Sequence, residues 1–346
     1  MRTSALIVGH ATAEIARGAI ERRDPRPNDV VIRVEFSGVC HSDIHQARNE
    51  WDGDSIYPMV PGHEIVGTVT AAGADVTRHA VGDRVGVGVY VDSCRRCDHC
   101  LRGLPQYCLE GFVATYNSRE YDGMPTLGGY SRDIVVDEEY VLPVPAGLDP
   151  AAAAPLLCAG ITVYSPLKHW GAGPGRRVAV LGMGGLGHLA VKFAHALGAH
   201  VTVLSHSLSK KDDGLAFGAD AYYATSDPAT FERLRNGFDL ILNTVAANLD
   251  IPAYLDLLDL DGALVHVGIP SEPDAFKMGA LGAQRRSVAA SMIGSLDEIR
   301  EMLALCAERG IEAEIERITA DEVGTAWDRV VASDVRYRFV IDAATI

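Results

Sequence analysis

The sequence has no apolar run long enough to cross a membrane and no excess of basic residues. A spanning helix needs about 20 consecutive apolar residues, and no stretch of the chain approaches that length. The N-terminus also lacks a signal-peptide pattern. The formal net charge of −15 disfavours nucleic acid and anionic membranes as partners, because both need basic surfaces. We therefore expect a soluble, cytoplasmic protein with neither kind of partner.

Repeats and low-complexity tracts are also absent, and the 346 residues correspond to about two domains. The first ~150 residues read as short strands and turns, with an alternating apolar pattern at 30–36 and similar segments at 65–69 and 84–87. From about residue 150 onwards, strands alternate with helices, which is typical of a parallel sheet. A last alternating segment at 335–341 is expected to return to the first domain.

Seven cysteines in a chain without a secretion signal indicate metal binding rather than disulfides. Four of them form the pattern Cys94-x2-Cys97-x2-Cys100-x7-Cys108 on a charged loop at 92–110. Four thiolates leave no coordination position open, so the pattern predicts a structural zinc site. An iron–sulfur cluster is disfavoured because the bacterial run has three residues before its fourth cysteine and a proline after it. A nucleic-acid-binding zinc ribbon is disfavoured by the acidic charge.

A second group of metal-binding residue types lies upstream of these four cysteines. Cys40 and His63 are candidate zinc ligands, and Cys158 is the best remaining candidate for a third. A site with three protein ligands keeps one position for water or substrate and is therefore catalytic. The alternative for each residue alone is a buried core position. We choose that alternative for Cys306, which lies on the apolar face of a predicted helix.

One predicted strand of the second domain leads into a glycine-rich turn. The strand 177–181 is followed by Gly182-x-Gly184-x-x-Gly187, then by a helix and a strand at 201–204. In this setting the pattern predicts dinucleotide binding. The first glycine permits the tight turn, the second lets the backbone approach a pyrophosphate, and the third allows close packing at a helix N-terminus that faces the phosphate charge. The alternative is a glycine-rich turn without a ligand.

The end of the second strand distinguishes the two nicotinamide cofactors. NAD-binding proteins place Asp or Glu there, about 20 residues after the turn, to bind the ribose 2′-hydroxyl. Here that position is Ser205, and hydroxyl groups and cations follow it. The residues that offer hydroxyl groups and cations to the 2′-phosphate of NADP are Ser205, His206, Ser207, Ser209, Lys210 and Lys211. The alternative is that these residues are only the polar start of a helix, in which the negative charges of Asp212 and Asp213 offset the positive charge of the lysines.

These segments together resemble the zinc-dependent medium-chain alcohol dehydrogenases, in particular the branch similar to cinnamyl alcohol dehydrogenase. The resemblance runs nearly from end to end and covers 38–45, 61–64, 127–130, 158–162, 182–187, 291–295, 336–340 and the four-cysteine loop. It implies an α/β fold with two parts. A β-rich GroES-like catalytic domain occupies 1–155 and 297–346, and a doubly wound parallel-sheet Rossmann domain occupies 156–296.

The resemblance also implies roles for the polar residues around the open metal site. Cys40, His63 and Cys158 bind catalytic zinc, and Glu64 approaches the metal when the site is open. Asp43 orients His63, because a carboxylate at the second ring nitrogen fixes the tautomer of a zinc-bound histidine.

A proton path is implied as well. Ser42 takes the proton from the alcohol and passes it through the cofactor ribose to His45 and then to solvent. The alternatives are that Ser42 caps the helix that starts near Asp43 and that His45 is a solvated surface histidine.

Cofactor and substrate contacts are implied in both domains. The cofactor-binding residues are His41, Thr162, Gly182, Gly184, Gly185, Leu186, Gly187, Ser205, His206, Ser207, Lys210, Thr244, Val245, Val267, Gly268, Ile269, Ser291, Ile293 and Arg338. Trp51, Tyr57 and Ala114 are expected to line the substrate pocket. Plant members of the branch carry an aromatic residue just before Ser-Tyr-Asn, where this chain has Ala114-Thr115-Tyr116-Asn117, so we expect a wider pocket.

The expected protein is an NADP-dependent zinc alcohol dehydrogenase, in practice an aldehyde reductase, with two zinc ions per chain. Its substrates would be medium-sized, apolar or aromatic primary alcohols and aldehydes, and by resemblance it would form a homodimer. One alternative is a secondary-alcohol or polyol dehydrogenase. Another is a zinc-loaded dinucleotide sensor without catalysis, against which the pair Ser42 and His45 argues, because a sensor needs no proton path.

Overall fold

The computed structural model of the chain describes residues 1–51, 53–270 and 272–346. These residues form two compact units, one made of Met1–Ala159 with Gly294–Ile346 and the other of Gly160–Ile293. The divisions fall after residues 159 and 293, where the sequence analysis placed them after 155 and 296. The C-terminal residues therefore belong to the same unit as the N-terminal ones.

The two units are built from short elements. The strands are β1 Arg2–Ile7, β2 Ala16–Glu21, β3 Asp29–Gly38, β4 Ile65–Ala72, β5 Arg84–Val87, β6 Tyr90–Asp92, β7 Val113–Ala114, β8 Asp133–Asp137, β9 Leu142–Pro143, β10 Arg177–Leu181, β11 His200–Ser205, β12 Ala221–Ala224, β13 Phe238–Asn243, β14 Leu258–His266, β15 Ser287–Ala290, β16 Ile315–Ile318 and β17 Arg338–Asp342. The α-helices are α1 His41–Ala47, α2 Asp98–Leu101, α3 Pro150–Ala153, α4 Ala159–His169, α5 Gly187–Ala196, α6 Lys211–Ala216, α7 Ala229–Arg233, α8 Ile251–Leu255, α9 Gly279–Gly282, α10 Leu296–Arg309 and α11 Val323–Val331. Single 3₁₀ turns cover Pro105–Tyr107, Glu138–Tyr140, Ala154–Leu157, Ala320–Glu322 and Ala343–Thr345.

The first unit is organised around β3. This strand lies within a sheet of order β16-β17-β3-β4-β5-β9 and pairs antiparallel with β4, β8 and β17. The alternating sequence predicts one buried face, but Val31 is buried as well as Val30 and Ile32. The reason is the central position of the strand, since sheet neighbours on both edges and α3 pack against it. Strand β17 brings the C-terminal residues back to β3, as the sequence predicted.

The second unit contains six parallel strands in the order β12-β11-β10-β13-β14-β15. This is the order of doubly wound dinucleotide-binding folds and confirms the predicted fold class. Helices on both faces bury such strands, which explains their continuous apolar runs. The glycine turn, Ser205 and Asn243 all follow or end strands of this sheet. They therefore lie at its carboxyl edge, where these folds bind ligands.

Helix α10 shows how local sequence fixes an element of the first unit. Ser295 caps its N-terminus, with Ser295 Oγ accepting from the N–H of Glu298 at 3.2 Å and the carboxylate of Glu298 accepting from Ser295 N at 2.8 Å. Gly310 ends it in the left-handed conformation at φ 66°. Cys306 is fully buried on the inner face of this helix, which confirms its interpretation as a core residue.

No single helix in the described part of the chain is long and apolar enough to span a bilayer. The apolar segments Pro150–Leu157 and Ala159–His169 reach that length only as a pair bent by 55°, and most of their residues are buried in the protein.

A buried arginine ties the segment before β8 to the start of the chain. Arg22 is 9% exposed, and its guanidinium donates to the carbonyl oxygens of Asp133 at 3.0 Å and Gly128 at 2.7 Å, to Ser131 Oγ at 2.7 Å, and to the carbonyl of Leu127. Five N–H donors in a fixed plane suit a ring of acceptors of this kind. Arg22 therefore holds residues 127–133 in place against the N-terminal strands.

Arg22→Met should lower the free energy of unfolding of the first unit by about 3 kcal/mol, because several buried acceptors lose their donor. Arg33→Met is the control: Arg33 also contacts Asp133, at 2.7 Å, but its side chain is 48% exposed, so the loss should stay under about 1 kcal/mol. Denaturant unfolding followed by the fluorescence of the three tryptophans, Trp51 and Trp327 in this unit and Trp170 in the other, measures both. Equal losses in the two variants would contradict the role given to Arg22.

Candidate active site

The first candidate metal ligand sits where strand β3 gives way to helix α1. Cys40 occupies the N-cap position of α1, and the side chain of Asp43 accepts a hydrogen bond from Cys40 N at 2.9 Å. Ser42 lies inside the helix, so the alternative that Ser42 caps it is wrong. Its hydroxyl oxygen is 3.6 Å from Cys40 Sγ.

Asp43 also fixes the second candidate ligand. Its Oδ1 accepts from Gly62 N at 3.0 Å and lies 3.1 Å from Nδ1 of His63. Because a carboxylate only accepts, it holds the proton on Nδ1 and leaves Nε2 free for a metal. That Nε2 lies 3.2 Å from Cys158 Sγ. Asp43, His63 and Glu64 are all buried.

Four buried side chains converge here: those of Cys40, His63, Glu64 and Cys158 have ligand atoms within 4.8 Å of one another. Two sulfurs and an imidazole form a recognised catalytic zinc set, and a carboxylate oxygen is a further zinc ligand type. The donor set thus fits zinc. All four residues belong to the first unit, although 95 residues separate His63 from Cys158.

The site favours one thiolate. A hydrogen bond from Cys158 lowers the pKa of Cys40 well below its usual range, against burial, and His63 and Arg338 add to this effect. The hydrogen bond to Cys40 and burial raise the pKa of Cys158. Burial works to lower the pKa of His63, but Asp43 and Cys40 outweigh it and hold that pKa well above its usual range. A thiolate, which is the form that binds metal, is therefore favoured at Cys40.

A buried ion pair adjoins this set. Arg338, predicted as a cofactor contact, donates from Nη2 to Oε1 of Glu64, and both side chains are almost completely buried. Burial raises the pKa of Glu64 to about 7, although the charge of Arg338 opposes the shift. The other carboxylate oxygen, Oε2, is buried without a hydrogen-bond partner. Glu64 therefore belongs to the four-residue ligand group and keeps one carboxylate oxygen without a partner.

The predicted proton-path histidine has a carboxylate partner that the sequence analysis missed. His45 Nδ1 lies 2.6 Å from Glu50 Oε2, and the side chain of His45 is 33% exposed. Its ring stacks on Trp51 with 5.2 Å between centroids and on His41 with 5.7 Å. His45 is therefore held in place and yet reaches solvent.

The predicted pocket residues are all partly buried. Tyr57 donates its hydroxyl to the carbonyl of Ala47 at 2.8 Å, so this side chain is anchored on α1. Ala114 ends the short strand β7, and Trp51 contacts His45. Residue 52, next to Trp51, lies outside the described residues.

The four remaining metal-site cysteines form the second cluster. Cys94, Cys97, Cys100 and Cys108 place their sulfurs within 4.8 Å of one another around α2. Backbone N–H groups donate to these sulfurs, from Cys97 to Cys94 at 3.3 Å and from Leu109 to Cys97 at 3.4 Å. Such bonds favour thiolates, and those from Leu109 and Cys100 lower the pKa of Cys97 to about 6. Four thiols on one loop suit a structural zinc ion.

In the second unit, the glycine turn has the geometry that phosphate binding needs. Gly182 adopts φ +95°, and a Cβ on Gly187 would collide with the carbonyl oxygen of Gly182. By contrast, a Cβ on Gly184 would point into open space, so a ligand can reach the backbone there. Helix α5 begins at Gly187 and directs its N–H groups to the same place. The turn therefore fits a dinucleotide.

The residues predicted at the 2′-phosphate follow β11. Ser205 is the last residue of this strand, and His206 and Ser207 are exposed beyond it. Lys210 donates from Nζ to the carbonyl of Met183 at 3.2 Å, which places its cation against the glycine turn. Hydroxyl groups and a cation thus stand where an NAD-binding carboxylate would.

The other predicted cofactor residues of this unit are distributed over several segments. Gly185 and Leu186 belong to the glycine turn, and Thr162 lies on α4. Thr244 and Val245 follow β13, Val267, Gly268 and Ile269 follow β14, and Ser291 and Ile293 follow β15. Thr244 donates its hydroxyl to the carbonyl of Leu181 at 2.8 Å and so connects β13 to the turn.

Two aromatic residues of the first unit were missed from the sequence. Tyr130 is fully buried and donates its hydroxyl to Asp43 Oδ2 at 3.1 Å. The ring of Tyr116 stacks on His63, with centroids 5.6 Å apart. Both residues lie far along the chain from Asp43 and His63. The only signal in the sequence is that each lies in a segment compared with the dehydrogenase family, 127–130 for Tyr130 and 114–117 for Tyr116.

The comparisons with known proteins agree with this geometry. The chain matches the family models "Alcohol dehydrogenase GroES-like domain" over residues 26–146 and "Zinc-binding dehydrogenase" over 185–308. It is 57% identical to the probable formaldehyde dehydrogenase AdhA of Bacillus subtilis, over 100% of this chain and 99% of the relative. It is 59% identical to the NADP-dependent alcohol dehydrogenase C 1 of Mycolicibacterium smegmatis, over 99% and 98%. A solved cinnamyl alcohol dehydrogenase structure from Sorghum bicolor matches with a TM-score of 0.96, 42% identity and coverage of 99% and 98%.

The zinc-binding dehydrogenases are defined by two units in one chain. One unit is β-rich and carries a cysteine–histidine centre and a four-cysteine loop, and the other has a doubly wound sheet with a glycine turn. Within that class, the chain belongs to the zinc-type medium-chain alcohol dehydrogenase family. The reaction class expected from the sequence, alcohol or aldehyde dehydrogenation, is thereby confirmed.

We expect two zinc ions per chain that differ in lability. The four-thiolate site is closed and should retain its ion against a chelator, whereas the site at Cys40, His63 and Cys158 should release its ion first. Cys158→Ser should therefore remove the labile zinc and leave the fold intact, and Cys97→Ser should lower thermal stability. Metal analysis and chelator-release kinetics measure these effects.

Cys306→Ser is the control, because Cys306 lies on the buried face of α10 and belongs to neither of the two cysteine clusters. This variant should retain both ions. A single zinc ion per chain in the fully loaded protein would show that one of the two clusters is not a zinc site.

Proposed function

We propose that the protein is an NADP(H)-dependent zinc alcohol dehydrogenase that works mainly as a reductase of medium-sized apolar or aromatic aldehydes. The observation that carries this proposal is the buried donor set of Cys40, His63, Glu64 and Cys158, with a serine hydroxyl 3.6 Å from Cys40 Sγ. Family membership supplies the reaction class. The relatives named for NADP and for cinnamyl alcohol support the cofactor and the substrate class.

The two cofactors supply the reactive chemistry when bound, since zinc polarises a carbonyl or lowers the pKa of a hydroxyl and NADP(H) carries the hydride. Cys40, His63 and Cys158 would hold the ion. Asp43 keeps Nε2 of His63 directed into the donor set, and Glu64 offers an oxygen without a partner. The glycine turn would bind the pyrophosphate through backbone N–H groups.

Proton transfer is assigned to two residues of α1. Ser42 and His45 are three positions apart, which places them on one face of the helix. Ser42 would accept the proton at its hydroxyl oxygen while its own hydroxyl proton moves on toward His45, and His45 would pass a proton to water. Glu50 accepts from Nδ1 of His45 and so leaves Nε2 as the ring nitrogen that can accept a proton.

Substrate size follows from the predicted pocket residues. Trp51 and Tyr57 offer aromatic surface, and Ala114 replaces the large side chain of plant members of the branch. A wide, mostly apolar pocket suits aromatic aldehydes. The aldehydes to be assayed as substrates should also include small ones, because one relative is named for formaldehyde.

The proposal extends to a cytoplasmic homodimer. Six cysteines form the two metal-site clusters and no disulfides, and clusters of thiols need a reducing compartment to bind metal. Strand β15 ends the six-stranded sheet with one neighbour among the described strands. An edge of this kind can pair with a second copy.

His45→Gln should lower the rate of alcohol oxidation near neutral pH by about 10-fold, less than the usual effect of general acid–base catalysis because this position is open to water. Imidazole buffer should restore part of the rate, since it replaces the missing proton carrier. Steady-state rates over a range of pH and buffer concentration measure this.

His10→Gln is the control, because His10 is exposed on the same unit and belongs to no cluster described above. An unchanged pH profile and no response to imidazole in His45→Gln would make His45 an ordinary surface residue.

The proposal predicts a higher kcat/KM with NADPH than with NADH across a panel of aromatic, medium-chain and small aldehydes. Ser205→Asp should shift the preference toward NADH, because a carboxylate near the 2′-phosphate costs about 4 kcal/mol per charge pair at an effective dielectric near 20. Lys210→Ala should raise KM for NADPH by about 10-fold and change KM for NADH less.

The control is Lys168→Ala, since Lys168 is an exposed lysine on α4 of the same unit and is not among the residues assigned to the cofactor. It should leave both Michaelis constants near their original values. The cofactor assignment is overturned if the unaltered protein works better with NADH, and the substrate class is overturned if secondary alcohols or polyols are the best substrates.

A further inference from the structure

Asn243, which the mechanism above does not use, connects the loops at the carboxyl edge of the second unit. It is the last residue of β13 and is 1% exposed. Its main-chain oxygen accepts from the N–H of Val267 at 3.0 Å and of Gly268 at 3.2 Å, both in the loop after β14. The loops after β13 and β14 approach so closely that a Cβ on Gly268 would collide with the carbonyl of Val245.

The side chain of Asn243 has only one consistent orientation. Its Oδ1 accepts from Val245 N at 2.9 Å, and since a backbone N–H can only donate, the amide oxygen must face it. The amide NH₂ then faces Nδ1 of His266, at 3.1 Å. Because an NH₂ group can only donate, Nδ1 must accept. His266 is therefore neutral here and carries its proton on Nε2.

We propose that Asn243 and His266 form a hydrogen-bonded lock that positions the two cofactor-binding loops, and that the lock closes only when His266 is neutral. Asn243 and His266 are positioning residues, since they act through Val245, Val267 and Gly268. The inference rests on the proposed function, which assigns those three residues to the cofactor.

Protonation of His266 would place an N–H on Nδ1, opposite the NH₂ of Asn243. Two donors cannot bond to each other, so the amide would have to rotate and abandon Val245 N. His266 is half-buried, and burial lowers its pKa, while the nearby charge of Asp274 opposes that shift. The lock is therefore closed at neutral pH and opens as the pH falls through a value below the ordinary one for histidine.

Two substitutions of Asn243 separate the lock from simple packing. Asn243→Leu keeps the approximate size of the side chain but removes both hydrogen bonds. It should raise the Kd for NADPH by about 10-fold at neutral pH, because Val245 N loses its acceptor. Asn243→Asp keeps an acceptor for Val245 N and can also accept from a protonated His266, so it should bind NADPH well at acid pH.

The measurement is a fluorescence titration of the zinc-loaded protein with NADPH between pH 5.5 and 8, which needs no turnover. The quantity compared is the Kd of the unaltered protein divided by the Kd of Asn243→Asp. This ratio should rise by roughly 2- to 10-fold between pH 8 and pH 5.5, because the loss of one hydrogen bond has an effect of that size. Titration of the NADPH phosphate is common to both proteins and cancels in the ratio.

Thr230→Val serves as the control, since it removes one partly buried hydrogen bond of the same unit outside these loops, from Thr230 Oγ1 to the carbonyl of Ala224 at 2.7 Å. It should leave the Kd and its pH dependence unchanged. The lock is overturned if Asn243→Leu binds NADPH as tightly as the unaltered protein, or if the Kd ratio to Asn243→Asp stays constant with pH. If the unaltered protein does not bind NADPH at all, the proposed function fails instead.

Discussion

The first unit depends on one buried carboxylate. Asp43 is completely buried, and a buried charge is costly unless every oxygen is bonded. Its two oxygens accept from the backbone N–H groups of Cys40 and Gly62 and from the hydroxyl of Tyr130, and they lie against Nδ1 of His63. The same bonds that stabilise the charge therefore fix the start of α1, the turn before β4 and the ring of a metal ligand. The geometry of the site follows from the need to satisfy Asp43.

Sequence reasoning identified what is encoded locally. The spacing of Cys94, Cys97, Cys100 and Cys108 is short, so chain geometry alone brings the four sulfurs together. The strand–turn–helix pattern around Gly182 likewise fixes its own conformation. Cys158 was reached by exclusion and by resemblance, and the structure places it beside Cys40 and His63. Both domain classes could be predicted because hydrophobic periodicity reports how many faces of an element are buried.

Contacts between distant segments could not be predicted. Arg22 has the same sequence character as its partly buried neighbour Arg23, and only the fold shows that the guanidinium of Arg22 lies among acceptors at 127–133. Glu50 looked like one of many surface carboxylates until α1 placed it beside His45. The sequence predicts Arg338 as a cofactor contact, but its pairing with Glu64 depends on the β17–β3 register, which joins residues just over three hundred positions apart. No local pattern contains such information.

The two units fix a histidine in opposite ways, and the difference follows from charge. In the first unit, the carboxylate of Asp43 accepts from Nδ1 of His63, so Nε2 is left for a metal and the cationic form is stabilised. In the second unit, the neutral amide of Asn243 donates to Nδ1 of His266, so the proton must sit on Nε2 and the cationic form is disfavoured. A carboxylate at Asn243 would reverse the second arrangement. An asparagine in place of Asp43 has one accepting oxygen and one donating NH₂ group. If its oxygen faced Gly62 N and Nδ1 of His63, its NH₂ group would face the donors Cys40 N and the Tyr130 hydroxyl and could not accept from them. Whether the partner side chain is a carboxylate, as at Asp43, or an amide, as at Asn243, therefore determines which ring nitrogen of the histidine carries the proton.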